Sequence, residues 1–369
     1  MPKLTRRLGL PRVPKGLRMP HLPKMHLASG GDRLGDLKSF GDNPGKLHAR
    51  FYVPDGLTAN APLVVVLHGC TQNAAAYDQG SGWSQLADRH GFALLFPEQT
   101  RINNPNLCFN WFNADDVARG KGEAGSIRSM VAAMVKAHDL DEKRIFVTGL
   151  SAGGAMAGAM LAAYPDVFAA GAIIAGIPYG CADGVSDAFE CMAGRGSADA
   201  ATLGDNVRKA SRYAGAWPRV QVWQGSADRT VVPSNGEAIV RQWAEVHGLP
   251  DQPTSTDSIG LHRRRMWAGA DGKALIEHYT VAGMGHGTPI NPGTEEGEAG
   301  EAGPHMLDVG LSSTDRIVEF FGIADAGAEC VVRKPARPAA EAEPQTAEPK
   351  DHGPQAVIEK ALKAAGLMR

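Results

Sequence analysis

Cysteine is scarce in this sequence, and its spacing excludes two common roles. Five cysteines in 369 residues are too few for a disulfide scaffold. None of them lies in a CxxC or Cys/His spacing typical of structural zinc, so we expect no metal site. Cys181 and Cys191 are near enough in sequence to pair under oxidising conditions, although reduced, buried thiols fit the pattern equally well.

Long apolar runs and a strong excess of charge of one sign are also missing. No run reaches the roughly 18 apolar residues that a membrane-spanning helix needs. A net charge of −2 argues against general nucleic-acid binding. Near the amino terminus, prolines and charges interrupt every candidate for the apolar region of a secretory signal peptide. These absences favour a cytoplasmic or granule-associated protein.

Composition divides the chain into a folded body and two tails. Residues 1–37 read as a basic, proline-rich disordered tail, with seven Lys or Arg and no acid in residues 1–31. We predict a catalytic body over 38–324. Residues 325–369 resemble an Ala/Pro/Glu-rich linker that ends in a short amphipathic helix at 357–368. The basic tail suits a polymer granule or an anionic surface, although a merely solvated tail fits it as well.

Within the body, short apolar runs alternate with stretches of helical pattern. The runs lie at 63–67, 92–96, 145–147, 172–174, 220–223 and 276–281. The helical stretches lie at 74–90, 123–138, 152–163, 233–247 and 313–321. This alternation predicts an α/β fold with a mostly parallel sheet covered by helices on both faces. Residues 50–53 predict an antiparallel strand at its entry.

The stretch VTGLSAGG at 147–154 contains a Gly-x-Ser-x-Gly motif between a strand pattern and a helix pattern. In that context the motif predicts a nucleophile elbow, a tight turn that exposes the hydroxyl of Ser151 at the carboxyl edge of the sheet. It also places the N–H of Ala152 at a helix N-terminus, where an oxyanion is stabilised. The alternative is a helix start with Ser151 as a capping residue.

A serine nucleophile needs a base and an acid that orients the base, each in a loop after a strand. Asp228 follows the strand at 220–223, and His286 follows the strand at 276–281 between two glycines. The order Ser, Asp, His is the one expected for this fold. A turn aspartate and a surface histidine are the alternatives. The histidines at 247, 278 and 305 fit structural or solvated positions better.

A second oxyanion donor is expected in the loop after an earlier strand. LHGCTQ at 67–72 follows the valine-rich strand, and the backbone N–H of Cys70 is the predicted donor. The Cys70 thiol is not required for this role. A cysteine nucleophile is the rival interpretation, but no elbow surrounds Cys70.

Several motifs together resemble the esterase family of poly(3-hydroxybutyrate) depolymerases, relatives of feruloyl and acetylxylan esterases. The motifs are LHGCTQ at 67–72, PEQ at 97–99, CFNWF at 108–112, GE at 122–123, SIRSM at 126–130, GLSAGGAM at 149–156, GSAD at 225–228 and GMGHGTPI at 283–290. The resemblance spans roughly residues 45–322. It implies an α/β-hydrolase that needs no metal or organic cofactor and hydrolyses a carboxylic ester with Ser151, Asp228 and His286.

The chain departs from secreted members of this family, which typically carry a signal peptide and a separate polymer-binding domain. Intracellular polymer, soluble oligomers and unrelated esters are therefore open as substrates, and the family resemblance keeps an extracellular location open. Hydrolysis of feruloyl or acetyl esters on carbohydrate, or a non-catalytic binding role on a hydrolase fold, are the alternative functions.

Specificity is expected to depend on aromatic side chains outside the sheet. Residues 177–218 form a long crossover, and its aromatics together with those of CFNWF predict an apolar cleft over the serine. The candidate cleft residues are Trp111, Phe112, Tyr179 and Trp217. Simple packing of crossover helices is the alternative for each of them.

Overall fold

The computed structural model describes residues 32–195 and 198–324. Most of the predicted basic tail, and all of the predicted linker with its short helix, lie outside these residues. The described sheet begins ahead of the expected boundary at residue 38, because Leu34 is buried and Gly35–Asp36 pairs with the second strand.

Twelve strands and nine helices make up the described part of the chain. The strands are β1 Gly35–Asp36, β2 His48–Tyr52, β3 Leu63–Leu67, β4 Ala93–Glu98, β5 Ile145–Leu150, β6 Ala170–Ile174, β7 Arg219–Gly225, β8 Ser255–Ile259, β9 His262–Ala268, β10 Ala274–Val281, β11 Thr288–Ile290 and β12 Met306–Asp308. The helices are α1 Ala74–Ser81, α2 Trp83–His90, α3 Ala114–Val117, α4 Gly122–His138, α5 Ala152–Ala163, α6 Val185–Met192, α7 Ala200–Ala210, α8 Ser234–His247 and α9 Ser313–Phe321.

Ten strands form one sheet in the order β1-β2-β4-β3-β5-β6-β7-β10-β9-β8. The centre, from β4 through β10, is parallel. The predicted entry strand is confirmed, since β2 pairs antiparallel with β4. Strands β8 and β9 extend the other end as an antiparallel pair that the sequence patterns did not predict. The small sheet β11-β12 is parallel.

The central strands are buried on both faces, which explains their continuous apolar sequence. In β3 alternate side chains enter two core clusters, with Val65 on one side and Val64 and Val66 on the other. Helices α4, α5 and α8 cover the Val65 side, and α1, α2 and α9 cover the opposite side. The predicted α/β architecture with helices on both faces is confirmed.

The single helix expected at 74–90 is wrong, because the chain forms two helices that meet at Gly82. This glycine has φ 76°, and a Cβ there would lie 2.5 Å from the Gly300 nitrogen. The close approach of a distant segment therefore breaks the helix at the one residue that tolerates it. The long crossover at 177–218 contains the two further helices α6 and α7.

Candidate active site

The turn between β5 and α5 holds Ser151 in a backbone conformation that is rare for residues with a side chain, with φ 57° and ψ −117°. Glycines on either side allow the backbone to close around it. A Cβ on Gly149 would lie 2.5 Å from the backbone of Gly153, and a Cβ on Gly153 would lie 2.3 Å from the Leu67 oxygen. The turn therefore packs directly on the end of β3, as a nucleophile elbow requires.

The side chain of Ser151 does not cap the helix that follows it. Its side chain makes no capping hydrogen bond. Its N–H donates to the Ile174 oxygen at 2.9 Å, and its carbonyl accepts from the Ala155 N–H at 2.8 Å. Ser151 therefore occupies the N-cap position of α5, as the alternative has it, but its hydroxyl is not used as a cap. Ala152, beside the hydroxyl, is the first residue of α5 and is buried.

Asp228 and His286 are paired, although 58 residues separate them in the sequence. His286 Nδ1 lies 2.8 Å from Asp228 Oδ2. Because a carboxylate accepts, Nδ1 carries the proton and Nε2 keeps its lone pair. The side chain of Asp228 is fully buried, and that of His286 is 11% exposed. The structure thus brings together the two side chains that the sequence interpretation paired.

Backbone donors hold the other oxygen of Asp228. Oδ1 accepts from the N–H groups of Thr230 at 2.9 Å and Val231 at 3.0 Å. The Gln224 amide reaches Oδ2 at 3.3 Å. A buried carboxylate with this many donors has its charge compensated, so it can orient an imidazole without water.

The loops after β7 and β10 contact each other closely. The Ala227 N–H donates to the Met284 oxygen at 3.0 Å. A Cβ on Gly225 would lie 2.4 Å from that same oxygen. This contact brings the Asp228 and His286 loops together at the carboxyl ends of neighbouring strands, which is where open α/β sheets place their sites.

His305 lies beside His286, although the sequence favoured a structural or solvated role for it. The two rings are 5.9 Å apart and nearly perpendicular, and His305 Nδ1 donates to the His286 oxygen at 3.1 Å. A Cβ on Gly287 would lie 2.7 Å from the His305 oxygen. The contact depends on the approach of β12 to β11, which no local pattern reveals.

The loop after β3 carries Cys70 in a tight turn. The Gly69 N–H donates to Gln72 Oε1 at 2.8 Å, and the Thr71 N–H donates to the Asn106 oxygen at 2.7 Å. Thr71 has φ 64°, a strained value for a β-branched residue. A Cβ on Gly69 would lie 3.4 Å from the side chain of Leu150, so the turn lies close to the residue that precedes Ser151.

A disulfide joins Cys70 to Cys108, 38 residues further on. The sequence interpretation did not predict this bond, although both cysteines lie in motifs of the family resemblance. Only the fold brings the loop after β3 and the CFNWF segment together. With its sulfur in a disulfide, Cys70 has no free thiol, so the rival interpretation of a cysteine nucleophile is wrong.

The other described cysteines are free thiols in contact with each other. Cys191 Sγ donates to the Cys181 oxygen at 2.9 Å. The contact with Cys191 and burial both raise the pKa of Cys181, which keeps it a protonated thiol. Cys191 also packs with Ala155 of α5 and Val231 of the Asp228 loop.

A buried polar network lies beneath the loop after β3, and its members come from the PEQ, CFNWF and GE motifs. Glu123 accepts hydrogen bonds from the Gln99 side chain at 2.5 Å and from the Asn110 backbone at 2.9 Å and side chain at 2.8 Å. Burial raises the pKa of Glu123 to about 8, against these N–H donors, which favour the carboxylate. Gln99 also donates to the Cys108 oxygen at 3.1 Å.

Over 32–195 and 198–324, no group of three or more His, Cys, Asp or Glu side chains is arranged to hold a metal ion. Within that same part of the chain, no helix combines the length and the apolar character needed to cross a bilayer.

Residues 47–265 match the model of the family described as esterase PHB depolymerase. The chain belongs to this family. It is 47% identical over 291 residues to poly(3-hydroxyalkanoate) depolymerase C of Paucimonas lemoignei, covering 79% of this chain and 70% of that protein. It is 33% identical to feruloyl esterase B of Thermothelomyces thermophilus, covering 70% of this chain and 89% of that protein.

A solved structure supports the same conclusion. The acetyl xylan esterase from Aspergillus awamori superposes with a TM-score of 0.68 at 26% identity, covering 79% of this chain and 99% of that one. The PHB depolymerase family member described here is thus an α/β-hydrolase and a carboxylic-ester hydrolase. The predictions of the family, the fold and an esterase activity are confirmed.

In this family member the predicted cleft aromatics fall into two groups. Trp111 packs in the cluster that contains Ala155 and Val231, next to the elbow helix and the Asp228 loop, and Phe112 lies edge-on to it at 5.6 Å. Tyr179 and Trp217 pack against the large core cluster, as Trp111 also does. Trp111, with Phe112 against it, differs from them in its additional contact with the cluster beside the candidate site.

Proposed function

We propose that Ser151, Asp228 and His286 form the catalytic triad of a polyester hydrolase, with the N–H groups of Cys70 and Ala152 as the oxyanion hole. The observation that carries this proposal is the 2.8 Å contact between His286 Nδ1 and the buried Asp228 carboxylate. It leaves His286 Nε2 as a proton acceptor, and the elbow presents a serine hydroxyl at the same edge of the sheet.

In the first half-reaction, His286 Nε2 takes the Ser151 proton while Oγ attacks the ester carbonyl. The N–H groups of Cys70 and Ala152 donate to the oxyanion of the tetrahedral intermediate. The imidazolium, stabilised by Asp228, then protonates the departing alkoxide, and the alcohol leaves. The product of this half-reaction is an ester between Ser151 and the acyl group.

In the second half-reaction, water replaces the alcohol. His286 takes a proton from the water as its oxygen attacks the acyl-enzyme carbonyl, and the same two N–H groups hold the new oxyanion. Collapse of the intermediate returns the proton to Ser151 Oγ and releases the carboxylic acid. No step needs a metal ion or an organic cofactor.

For the substrate we propose polyesters or oligomers of the 3-hydroxyalkanoate type. The support is the 47% identity to a protein named for that activity, across most of both chains. The half-buried Trp111, packed beside Ala155 of the elbow helix with Phe112 against it, fits an apolar acyl chain.

A product panel tests the substrate class. We expect release of 3-hydroxybutyrate oligomers from amorphous poly(3-hydroxybutyrate), and covalent labelling of Ser151 by a fluorophosphonate in the folded protein. Release of acetate from acetylated xylan or of ferulate from feruloyl esters, without oligomer release, would reassign the substrate. Folded protein that gives no Ser151 adduct would contradict the triad itself.

A carbohydrate-linked ester is the second candidate substrate. The likeness to acetyl xylan esterase extends over 99% of that structure, and feruloyl esterase B is a 33% identical relative. Both candidates use the same triad and differ only in the acyl and alcohol groups, so the product panel separates them directly.

We further propose an oxidising compartment for this enzyme. The Cys70–Cys108 disulfide supports it, because such bonds persist chiefly outside the cytosol. The expected cytoplasmic or granule location is the alternative. Thiol titration of protein purified from its native host, alkylated at lysis, distinguishes them: we expect Cys70 and Cys108 to be protected, whereas four or more alkylated thiols would favour the cytosol.

The basic residues of the amino-terminal segment support a further proposal, that residues 1–31 bind an anionic or granule surface. Seven cations without an acid give an electrostatic attraction that salt screens. Deleting residues 1–31 is expected to reduce low-salt co-sedimentation with anionic vesicles and to leave soluble-ester turnover unchanged. Equal sedimentation of both proteins would contradict this proposal.

A further inference from the structure

The peptide group between Gly69 and Cys70 is held from its carbonyl side by His68. Nδ1 of the buried His68 ring lies 2.8 Å from the Gly69 oxygen, and the Gln99 N–H donates to Nε2 at 3.1 Å. Because Nε2 accepts, the neutral ring carries its proton on Nδ1 and donates it to the Gly69 carbonyl. Burial lowers the pKa of His68, which is consistent with a neutral ring.

The same peptide group supplies the Cys70 N–H. It is trans, so its carbonyl and its N–H point in opposite directions. In the described part of the chain, the Cys70 N–H donates to no protein acceptor. A hydrogen bond to the carbonyl therefore fixes the direction of an N–H that is available to a ligand, and it also polarises that N–H.

We infer that His68 is a positioning residue that orients the Gly69–Cys70 peptide as an oxyanion donor. The inference rests on the proposed function, in which the Cys70 N–H stabilises the tetrahedral intermediate. His68 does not touch the substrate. It acts through the backbone, by keeping the donor aimed where negative charge develops.

The loop needs such an external contact because its own geometry holds the peptide weakly. Gly69 has no Cβ, so rotation of the peptide that follows it meets little steric resistance. The turn's own backbone bond, from the Gln72 N–H to the Gly69 oxygen, is longer than the His68 contact, at 3.3 Å. The strained Thr71, with φ 64°, adds a tendency to relax.

The surroundings of His68 keep its ring and tautomer fixed. The ring packs on Phe109 with centroids 5.0 Å apart. Gln99, whose N–H sets the tautomer, is held in turn by its side-chain hydrogen bond to Glu123. The buried network under the loop thus ends on the carbonyl of the proposed donor peptide.

Two substitutions of His68 separate its donor from its acceptor. His68→Asn keeps an amide N–H near the place of Nδ1 and loses the acceptor for Gln99. His68→Gln places an amide oxygen near Nε2 and loses the donor to Gly69. We would measure kcat and KM for p-nitrophenyl butyrate per titrated active site, the Ki of phenylboronic acid, and Tm.

We expect kcat to depend on the hydrogen-bond donor at the position of His68 Nδ1, and not on the acceptor at the position of Nε2. His68→Gln should lower kcat about 10- to 100-fold with KM within about threefold, and should raise the Ki of the tetrahedral boronate adduct by a similar factor. His68→Asn should restore kcat to within about fivefold of wild type even where its Tm is lower. If both variants lose kcat in proportion to their loss of Tm, or if His68→Gln keeps wild-type kcat, the inference is overturned.

A measurement on the wild-type enzyme covers the case in which neither variant folds. Neutron diffraction from deuterium-exchanged crystals is expected to show a deuteron on His68 Nδ1 and none on Nε2; the opposite tautomer would overturn the inference. Fluorophosphonate labelling of Ser151 in wild-type protein tests the proposed function separately. A labelled Ser151 with an unaffected His68→Gln variant would refute only the role of His68.

Discussion

The loop after β3 and the loop after β10 hold their functional groups in different ways. The first is braced by side chains: the Cys70–Cys108 disulfide, the Gln72 amide and the His68 ring all fix it. The second carries His286 between Gly285 and Gly287, and it is held by hydrogen bonds of its main chain to the Ala227 N–H, the Ser226 hydroxyl and the His305 ring. A Cβ on Gly285 would meet no atom within 4 Å, so space is left beside the imidazole.

This difference matches the two tasks proposed for these loops in ester hydrolysis. A donor that stabilises a developing negative charge is most effective when it is already in place and does not move. A proton carrier must serve the serine, the leaving alcohol and the attacking water in turn. The braced loop and the open loop therefore suit the stationary task and the mobile task respectively.

Removal of the proposed nucleophile, Ser151, should have the largest effect on turnover, because both loops would serve the same serine. Ser151→Ala is expected to lower kcat by at least about 10⁴-fold. Ser151→Gly should be equally inactive but more stable by about 1 kcal/mol, because glycine relieves the strain at φ 57°. Turnover assays and thermal unfolding measure both. Measurable activity in pure Ser151→Ala would assign the nucleophile elsewhere.

Asp228→Asn tests the orientation of His286, with an expected loss of about 10³- to 10⁴-fold in kcat. Oδ1 accepts two backbone N–H groups, so the amide oxygen must stay there and the NH₂ group must face His286. The imidazole is then driven to the wrong tautomer. Wild-type Tm with low kcat is the expected result; an equal loss of both would indicate a structural role for Asp228 instead.

Removal of the Cys70–Cys108 bond tests how the loop after β3 is held. In the chain-entropy description, closing a loop of 38 residues contributes about 4 kcal/mol of stability. Cys70→Ala with Cys108→Ala should therefore lower Tm by about 5–10 °C. Cys181→Ala with Cys191→Ala is the matched control, since those thiols are unbridged, and its Tm should fall less than half as far. Equal losses in the two double variants would refute a bracing role for the disulfide.

The smallest effect concerns the buried Glu123 beneath the braced loop. Its folded-state pKa of about 8 lies above the ordinary value of 4.5, so its contribution to stability is present in acid and is lost as pH rises through about 8. The free energy of unfolding of wild type should fall by up to a few kcal/mol between pH 5 and about pH 9. Glu123→Gln mimics the neutral acid and should flatten that slope.

Urea unfolding at several pH values measures the Glu123 effect. The exposed Glu142→Gln is the matched control and should leave the slope as in wild type. Parallel slopes in wild type and Glu123→Gln would show that the carboxyl is ionised in the fold, held by its three N–H donors.

The sequence predicted what local patterns determine. The elbow at 149–153 and the helices α5 and α9 follow from glycine spacing and apolar periodicity, and the bounds of both helices agree with the structure. The antiparallel pair β8 and β9 was missed because its sequences STDSI and HRRRMWA are polar and lie at the edge of the sheet.

Long-range contacts account for the rest of what the sequence did not reveal. The break at Gly82 depends on Gly300, and the Cys70–Cys108 bond depends on the fold of the segment between them. Buried Glu123 reads locally as an ordinary acidic residue in the first turn of a helix. Its hydrogen bonds to Gln99 and Asn110 identify it as part of a buried polar network, and neither partner lies in the helix that contains Glu123.

The contact from His68 to the Gly69 carbonyl has a consequence for heritable variation. A backbone N–H is present in every residue except proline, so ordinary codon changes at Cys70 leave it in place. The His68 side chain, which hydrogen-bonds the carbonyl of that same peptide group, can be changed by single substitutions. On the proposed role of His68, the strength of a main-chain donor is thereby open to selection through residue 68, with no change in Ser151, His286 or Asp228.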